Sequence, residues 1–170
     1  GEEENQNRDV FQFRFLDEGT ALLVMPSWAL YNSKWDWKSF LDRSFENHIA
    51  KGARDLIIDI RSNEGGQDIG DVVISHLSKE PVPRESLVRR VRYRSVPAEL
   101  RPYLDTWDKS FFDWGSAAGA REGDFFRLRR DADDDPGGPI QPALPHFPGR
   151  VWVLTSATNS SATFEFAQTI

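Results

Sequence analysis

The 170-residue chain has no cysteine, only three histidines and a single methionine. Without cysteine there is no disulfide scaffold, no thiolate zinc site and no cysteine nucleophile, and the redox compartment leaves no mark on the sequence. Three histidines leave little for a metal centre, and no metal or other cofactor is implied. Positive charge is also scarce. The 21 Lys and Arg face 27 Asp and Glu, for a formal charge of −6. That balance argues against a nucleic-acid partner, because phosphate neutralisation needs a surplus of basic side chains. The longest apolar run covers residues 21–25, whereas a bilayer span needs roughly 20 residues, so no membrane span is expected. The chain opens Gly-Glu-Glu-Glu instead of with Met, which leads us to expect that a leader or an upstream domain preceded it. What is present is ordinary for one folded domain: 39% apolar residues, including 12 Phe and 6 Trp, in a length that suits one core.

The apolar periodicity sets out an alternation of strands and helices. Residues 10–15 alternate, with Phe11, Phe13 and Phe15 on one face of a strand. Asp17, Glu18 and Gly19 make a turn and residues 21–25 a second strand, together a hairpin. A loop over 26–37 holds Trp28, Trp35 and Trp37, whose default role is packing. Phe40, Leu41, Phe45, His48 and Ile49 recur at helical spacing over 39–50, with Gly52 as C-cap. The run 55–61 predicts a strand buried on both faces, followed by a Gly-containing turn over 62–67 and a helix over 68–77. Strands are expected over 87–96, with Arg90, Arg92 and Arg94 on one face, and over 124–130, with Arg127 and Arg129 on one face. Residues 97–123 read as short helices and loops. Guanidinium forks such as those of Arg90, Arg92 and Arg94 suit a peptide carboxylate; a solvated strand face is the plainer reading.

Pro136, Pro139, Pro142, Pro145 and Pro148 recur every third residue, the period of polyproline II, and mark 131–149 as a stiff acidic connection. Asp131, Asp133, Asp135 and Gly137 have the alternation of a calcium loop, but Pro136 and Pro142 stand where that loop needs Gly and Glu. A solvated acidic loop is expected there. A buried strand over 150–155, a polar turn over 156–159 and a helix from 160 to at least 170 close the chain.

Two segments carry chemistry. Ser160 and Ser161 stand at the first turn of a helix, where unpaired N–H groups and the positive end of the dipole stabilise an oxyanion; Ser is equally a common N-cap. Gly65 and Gly66 permit positive φ and close backbone approach, suiting either N–H groups aimed at a carbonyl oxygen or an ordinary turn. A strand ending Asp-Ile-Arg-Ser-Asn-Glu-Gly-Gly (59–66), followed by Val-Trp-Val-Leu-Thr-Ser-Ala-Thr-Asn-Ser-Ser-Ala-Thr-Phe-Glu-Phe-Ala (151–167), resembles the tail-specific, or C-terminal processing, serine peptidase family. In that family a Leu-Ile-Ile-Asp-Leu-Arg-x-Asn-x-Gly-Gly strand end faces a Ser-Ala-Ser-Glu-x-Phe-Ala helix start.

The resemblance covers residues 10–170, the middle of a family catalytic domain. It implies an α/β fold of the ClpP/crotonase type, a core of alternating strands and helices incomplete at both ends, forming one partial peptidase domain over 1–170. It implies a serine nucleophile with a lysine base. The pattern of Ser, Ala, a small hydroxyl residue, two residues and Phe-Ala falls on Ser161, Ala162, Thr163, Phe166 and Ala167, which favours Ser161 over Ser160. The implied oxyanion donors are the N–H groups of Ala162 and of Gly65 or Gly66. Two departures stand out. Phe164 replaces the family's Glu, and Glu165 lies about 100° round the helix. The family's lysine follows the serine on a strand outside this sequence, whereas Lys34, Lys38, Lys51, Lys79 and Lys109 all precede it. Some relatives use histidine, but His48, His76 and His146 match no motif and read as packing or surface residues. The family's PDZ module is not visible. The implied activity is endoproteolysis near polypeptide C-termini, with a polypeptide as partner and a periplasmic or secreted location. The alternatives are a catalytically silent peptide-binding or scaffolding relative and, by fold analogy alone, an acyl-CoA enzyme of the crotonase type.

Overall fold

The computed structural model describes residues 11–84, 88–129 and 137–170; Asp131, Asp133, Asp135 and Pro136, singled out above, and residues 10, 87 and 130 at the ends of expected strands lie outside them. Phe13 and Phe15 alternate with Gln12 and Arg14, and that period of two makes β1 (Gln12–Phe15) a strand with one apolar face. Asp17 closes the turn by accepting the Gly19 N–H at 2.8 Å, and β2 (Thr20–Val24) returns antiparallel with Phe13 opposite Leu23. Helix α1 (Trp37–Ala50) starts where the Asp36 carboxylate accepts the Ser39 N–H at 3.0 Å and buries Leu41, Phe45 and His48. Gly52, at φ +69°, turns the chain beyond its end. Strand β3 (Asp55–Asp59) then lies parallel to β2, as a crossover through a helix allows. Helix α2 (Gly70–Leu77) follows.

Arg84–Gly138 is a compact unit of its own, holding β4 (Arg90–Val91), β5 (Ala118–Glu122) and β6 (Phe125–Leu128) as an antiparallel sheet in the order β4-β6-β5. The other unit, Gly1–Pro83 with Pro139–Ile170, ends with β7 (Arg150–Leu154), parallel to β3, and α3 (Ser161–Thr169). Its sheet runs β1-β2-β3-β7, and α2 packs on both α1 and α3. Its core gathers Leu23, Met25, Trp28, Leu56, Ile58, Val73 and Phe166. The fold is the expected α/β alternation of strands and helices, and none of the described helices is long and apolar enough to cross a membrane.

Three expectations are corrected. The strand expected over 87–96 is only Arg90–Val91, because the chain beyond it leaves the sheet. Val96 N–H bonds the Phe112 carbonyl, Trp114 N–H bonds the Arg94 carbonyl, and the Tyr93 hydroxyl donates to Phe111 O. Arg90 donates to Glu122 at 3.0 Å, while Arg92 and Arg94 lie over the rings of Phe125 and Phe126. Residues 97–123 contain, besides three short 3₁₀ turns, the strand β5, whose Ala-Gly-Ala-Arg-Glu sequence has little intrinsic strand preference; its hairpin with β6 across Gly123 supplies the order. Strands β3 and β7 are each covered fully on one face at most. Leu56 and Ile58 are buried while Asp55, Ile57 and Asp59 are half-buried, and β7, the edge strand of the described sheet, leaves Trp152 55% exposed. The outer face mixes Leu22, Ile57 and Trp152 with charged residues. Arg150 and the Trp152 indole bond the Asp55 carboxylate and hold it below its ordinary pKa, and Arg61 does the same to Asp59.

Residues 139–149 of the proline-spaced segment are fixed to the unit they belong to. Ala143 N–H bonds Ser75 O and Phe147 N–H bonds His76 O, both at 2.8 Å, while the buried His76 ring lies 2.9 Å from Pro145 O and 3.0 Å from the Asp42 carboxylate. Phe147 reaches inward to His48, with ring centroids 4.5 Å apart. His48 is fully buried against Phe13, Phe15 and Phe147, and neither ring nitrogen has a partner among the described residues. Burial disfavours the charged ring and lowers its pKa from 6.5 to about 4. Between these values the unfolded chain binds the extra proton, so stability is full above pH 6.5 and falls as pH drops towards 4. The loss is of the order of 3 kcal/mol. The urea midpoint of the wild type, compared with that of His48→Phe from pH 7 to pH 4, is expected to fall relative to the variant as pH drops; a difference that does not change with pH would contradict a buried neutral histidine.

Candidate active site

Three loops leave the carboxyl ends of the parallel strands β2, β3 and β7, the end of an α/β sheet at which ligands bind. Residues 25–28 follow β2, residues 60–67 follow β3 and residues 155–160 follow β7. Side chains of small polar residues stitch them together. Ser156 and Thr158 hydroxyls both donate to Arg61 O. Asn159 Nδ2 donates to Ile60 O at 2.6 Å and to Asn63 O at 2.8 Å, and Ser160 Oγ donates to Glu64 O at 2.7 Å. Ser160 therefore stands at the N-cap of α3 with its hydroxyl turned away from the helix, onto the glycine turn.

The Gly65–Gly66 pair is held in a conformation only glycine adopts freely, at φ +106° and +136°. Trp28 N–H donates to Gly65 O at 3.2 Å, and Gln67 N–H donates to Trp28 O at 3.0 Å. In this parallel bridge the N–H and C=O of Gly66 point away from Trp28. A Cβ on Gly65 would stand 2.7 Å from Ser160 O, 2.9 Å from Ser161 Cβ and 3.4 Å from Ala162 N. The glycine turn thus lies against the first residues of α3, and Gly65, Gly66, Ser161 and Ala162, singled out from the sequence, are brought together. Gly65 N–H is taken up by Asn63 Oδ1 at 2.9 Å. Among the described residues, the N–H groups of Gly66 and Ala162 have no hydrogen-bond partner.

Ser161 is the one described non-glycine residue at positive φ, +50°, a conformation that costs of the order of 1–3 kcal/mol and survives only where its surroundings impose it. The side chain is exposed, and its hydroxyl bonds no described residue. Trp28 sits beneath, fully buried, its ring 5.4 Å from that of Phe166. Trp35 meets Phe11 and Phe40 instead, and Trp37 also packs against the core.

The histidines play other parts: His48 and His76 are buried as described, and His146 lies in the proline-spaced segment. Lys34, Lys38, Lys51, Lys79 and Lys109 are exposed. No described lysine or histidine hydrogen-bonds Ser161. Among the described residues no group of three His, Asp or Glu is arranged to hold a metal ion.

Two residues central to this geometry carried no role in the sequence reading. Asn63 and Thr163 are both fully buried polar residues. Asn63 Nδ2 donates to Met25 O, while its Oδ1 accepts from Gly65 N–H and from the Thr163 hydroxyl, each at 2.9 Å. Their signal in the sequence is their place in the two motifs, as the Asn before the glycine pair and the small hydroxyl residue after Ser-Ala; the bond that joins them is not legible there.

The sequence profile of Peptidase family S41 matches residues 19–170. No curated protein matches the chain. Among solved structures, a proposed peptidase from Parabacteroides merdae is 18% identical with a TM-score of 0.55, over 99% of this chain and 43% of its own. Mature CPAF complexed with lactacystin is 14% identical with a TM-score of 0.54, over 88% of this chain and 35% of its own. Mature CPAF alone gives 14% and 0.52, over 94% and 37%. The chain spans less than half the length of these structures, and at such identities the likeness is one of fold.

Proposed function

The chain belongs to peptidase family S41, a family of serine peptidases, and on that premise we propose that it forms the nucleophile and oxyanion elements of an endopeptidase that cleaves polypeptides near their C-termini. Ser161 Oγ attacks the scissile carbonyl carbon, and its proton passes to a general base and from there to the departing amine; water then hydrolyses the acyl-enzyme. The oxyanion is held by the N–H groups of Ala162 and Gly66. Gly66 is preferred over Gly65 because the Gly65 N–H is already bound to Asn63. The observation that carries this reading is an exposed serine at φ +50° at a helix start with the glycine turn packed against it, where among the described residues the N–H groups of Ala162 and Gly66 are unbonded. The general base is assigned to a lysine outside these 170 residues, since the described lysines and histidines make no hydrogen bond to Ser161. A periplasmic or secreted location of the protein is part of the same proposal.

A second reading, a peptide-binding or scaffolding relative without turnover, is favoured by the fact that no described lysine or histidine hydrogen-bonds Ser161. Hydrolysis of fluorescein-labelled casein by the full-length protein, its Ser161→Ala variant and its Ser160→Ala variant tests the choice. Loss of hydrolysis in the first variant alone supports the peptidase. No hydrolysis by the wild type supports the silent relative.

A further inference from the structure

Asn63 occupies a position that ordinary turn formation does not require. Its amide orientation is fixed chemically, because Met25 O can only accept and Gly65 N–H can only donate, so Nδ2 must face the first and Oδ1 the second. Oδ1 then takes a second hydrogen bond from Thr163 Oγ1 at 2.9 Å, across 100 residues of chain. Both partners are completely buried, where a hydrogen bond is strong and a missing one costly. One side chain thereby ties the loop after β2, the glycine turn after β3 and the first turn of α3.

We infer that Asn63 and Thr163 are positioning residues that set the distance between the oxyanion turn and the nucleophile; this rests on the serine-peptidase reading above. The Asn63 carboxamide absorbs the Gly65 N–H and so fixes the peptide plane between Glu64 and Gly65, leaving Gly66 as the turn's free donor. The Thr163 hydroxyl, two residues beyond Ser161, anchors the helix start to the same oxygen. Neither side chain touches the reacting atoms. Their effect is on geometry, and a misplacement of about 1 Å at such a site costs on the order of 10²-fold in rate.

The test is Thr163→Val in the full-length protein, which removes the hydroxyl while keeping the branched shape and leaves Asn63 Oδ1 still bound by Gly65. Casein hydrolysis is expected to lose roughly 10- to 100-fold in kcat with KM within about twofold, because orientation in the transition state is impaired and not substrate binding. Thr163→Ser, which restores the hydroxyl, is expected to recover most of kcat. Asn63→Ala is expected to lose at least as much as Thr163→Val, and a fluorophosphonate is expected to acylate Ser161 more slowly in Thr163→Val than in the wild type at 25 °C. An unchanged kcat in a folded Thr163→Val, or a loss that Thr163→Ser does not reverse, overturns the inference. These results are separable from failure of the reading beneath it: if Ser161→Ala retains full hydrolysis, the peptidase assignment falls, whereas if Ser161→Ala is inactive and Thr163→Val is normal, only the positioning role falls.

Discussion

Ser161→Ala is expected to lower casein hydrolysis by at least about 10⁴-fold in kcat while the protein remains folded. The hydroxyl is exposed and bonds no described residue, so its removal leaves no buried group unpaired and stability is expected within about 0.5 kcal/mol of the wild type. Ser160→Ala is the contrasting case. Its hydroxyl bonds Glu64 O at 2.7 Å, and losing that bond costs on the order of 1 kcal/mol and loosens the contact between α3 and the glycine turn. The expected result is a modest loss of stability with kcat reduced no more than about tenfold, since the nucleophile and both free N–H groups remain. Steady-state kinetics together with thermal melts separate the two. Reversal of this order, with Ser160→Ala inactive and Ser161→Ala active, would move the nucleophile by one residue and with it the whole oxyanion geometry.

The largest expected effect on stability is at Gly66. A Cβ there would overlap the Trp28 carbonyl carbon and oxygen and the Ala29 nitrogen, at a φ of +136° that side-chain-bearing residues essentially never adopt. Backbone atoms held on both sides of the Trp28 bridge cannot yield as a flexible side chain would, and fully buried Trp28 is itself wedged against Phe166. Gly66→Ala is therefore expected to destabilise by more than about 3 kcal/mol, a fall in Tm of roughly 10 °C for a chain of this size, with loss of hydrolysis. Gly52→Ala is the control. Gly52 also has a positive φ, +69°, but a Cβ there meets nothing within 4 Å, so only the backbone cost of about 1–2 kcal/mol applies. Differential scanning calorimetry of the two variants distinguishes contact from conformation; equal shifts would mean that Trp28 does not hold the turn.

How far the sequence discloses this structure depends on where the information sits. The α/β alternation is legible because Phe13 and Phe15, the spacing from Phe40 to His48, and the β-branched run around Ile57 each bury one face at the period of their element. Strand β5 is not, because Ala118 to Glu122 gains its order only from pairing with β6. The segment after Val91 misleads, since Arg at every second position (Arg90, Arg92 and Arg94) resembles a strand face while its carbonyl and amide groups bond the 3₁₀ turns near Phe112 and Trp114. At the site, Gly65, Gly66, Ser161 and Ala162 stand out as residue types placed where a turn and a helix begin. The links through Asn63, Thr163, Asn159 and Trp28 do not, because a hydrogen bond between residues far apart in the chain leaves no periodic trace in either segment.

The central claim is that Ser161 is a nucleophile beside free N–H donors, and covalent capture tests it most directly. The full-length protein is treated with a fluorophosphonate and the adduct located by tandem mass spectrometry. The account predicts a single adduct on Ser161, none on Ser160, and loss of casein hydrolysis in proportion to labelling. An active protein that carries its adduct on another residue, or that remains active and unlabelled, would contradict it.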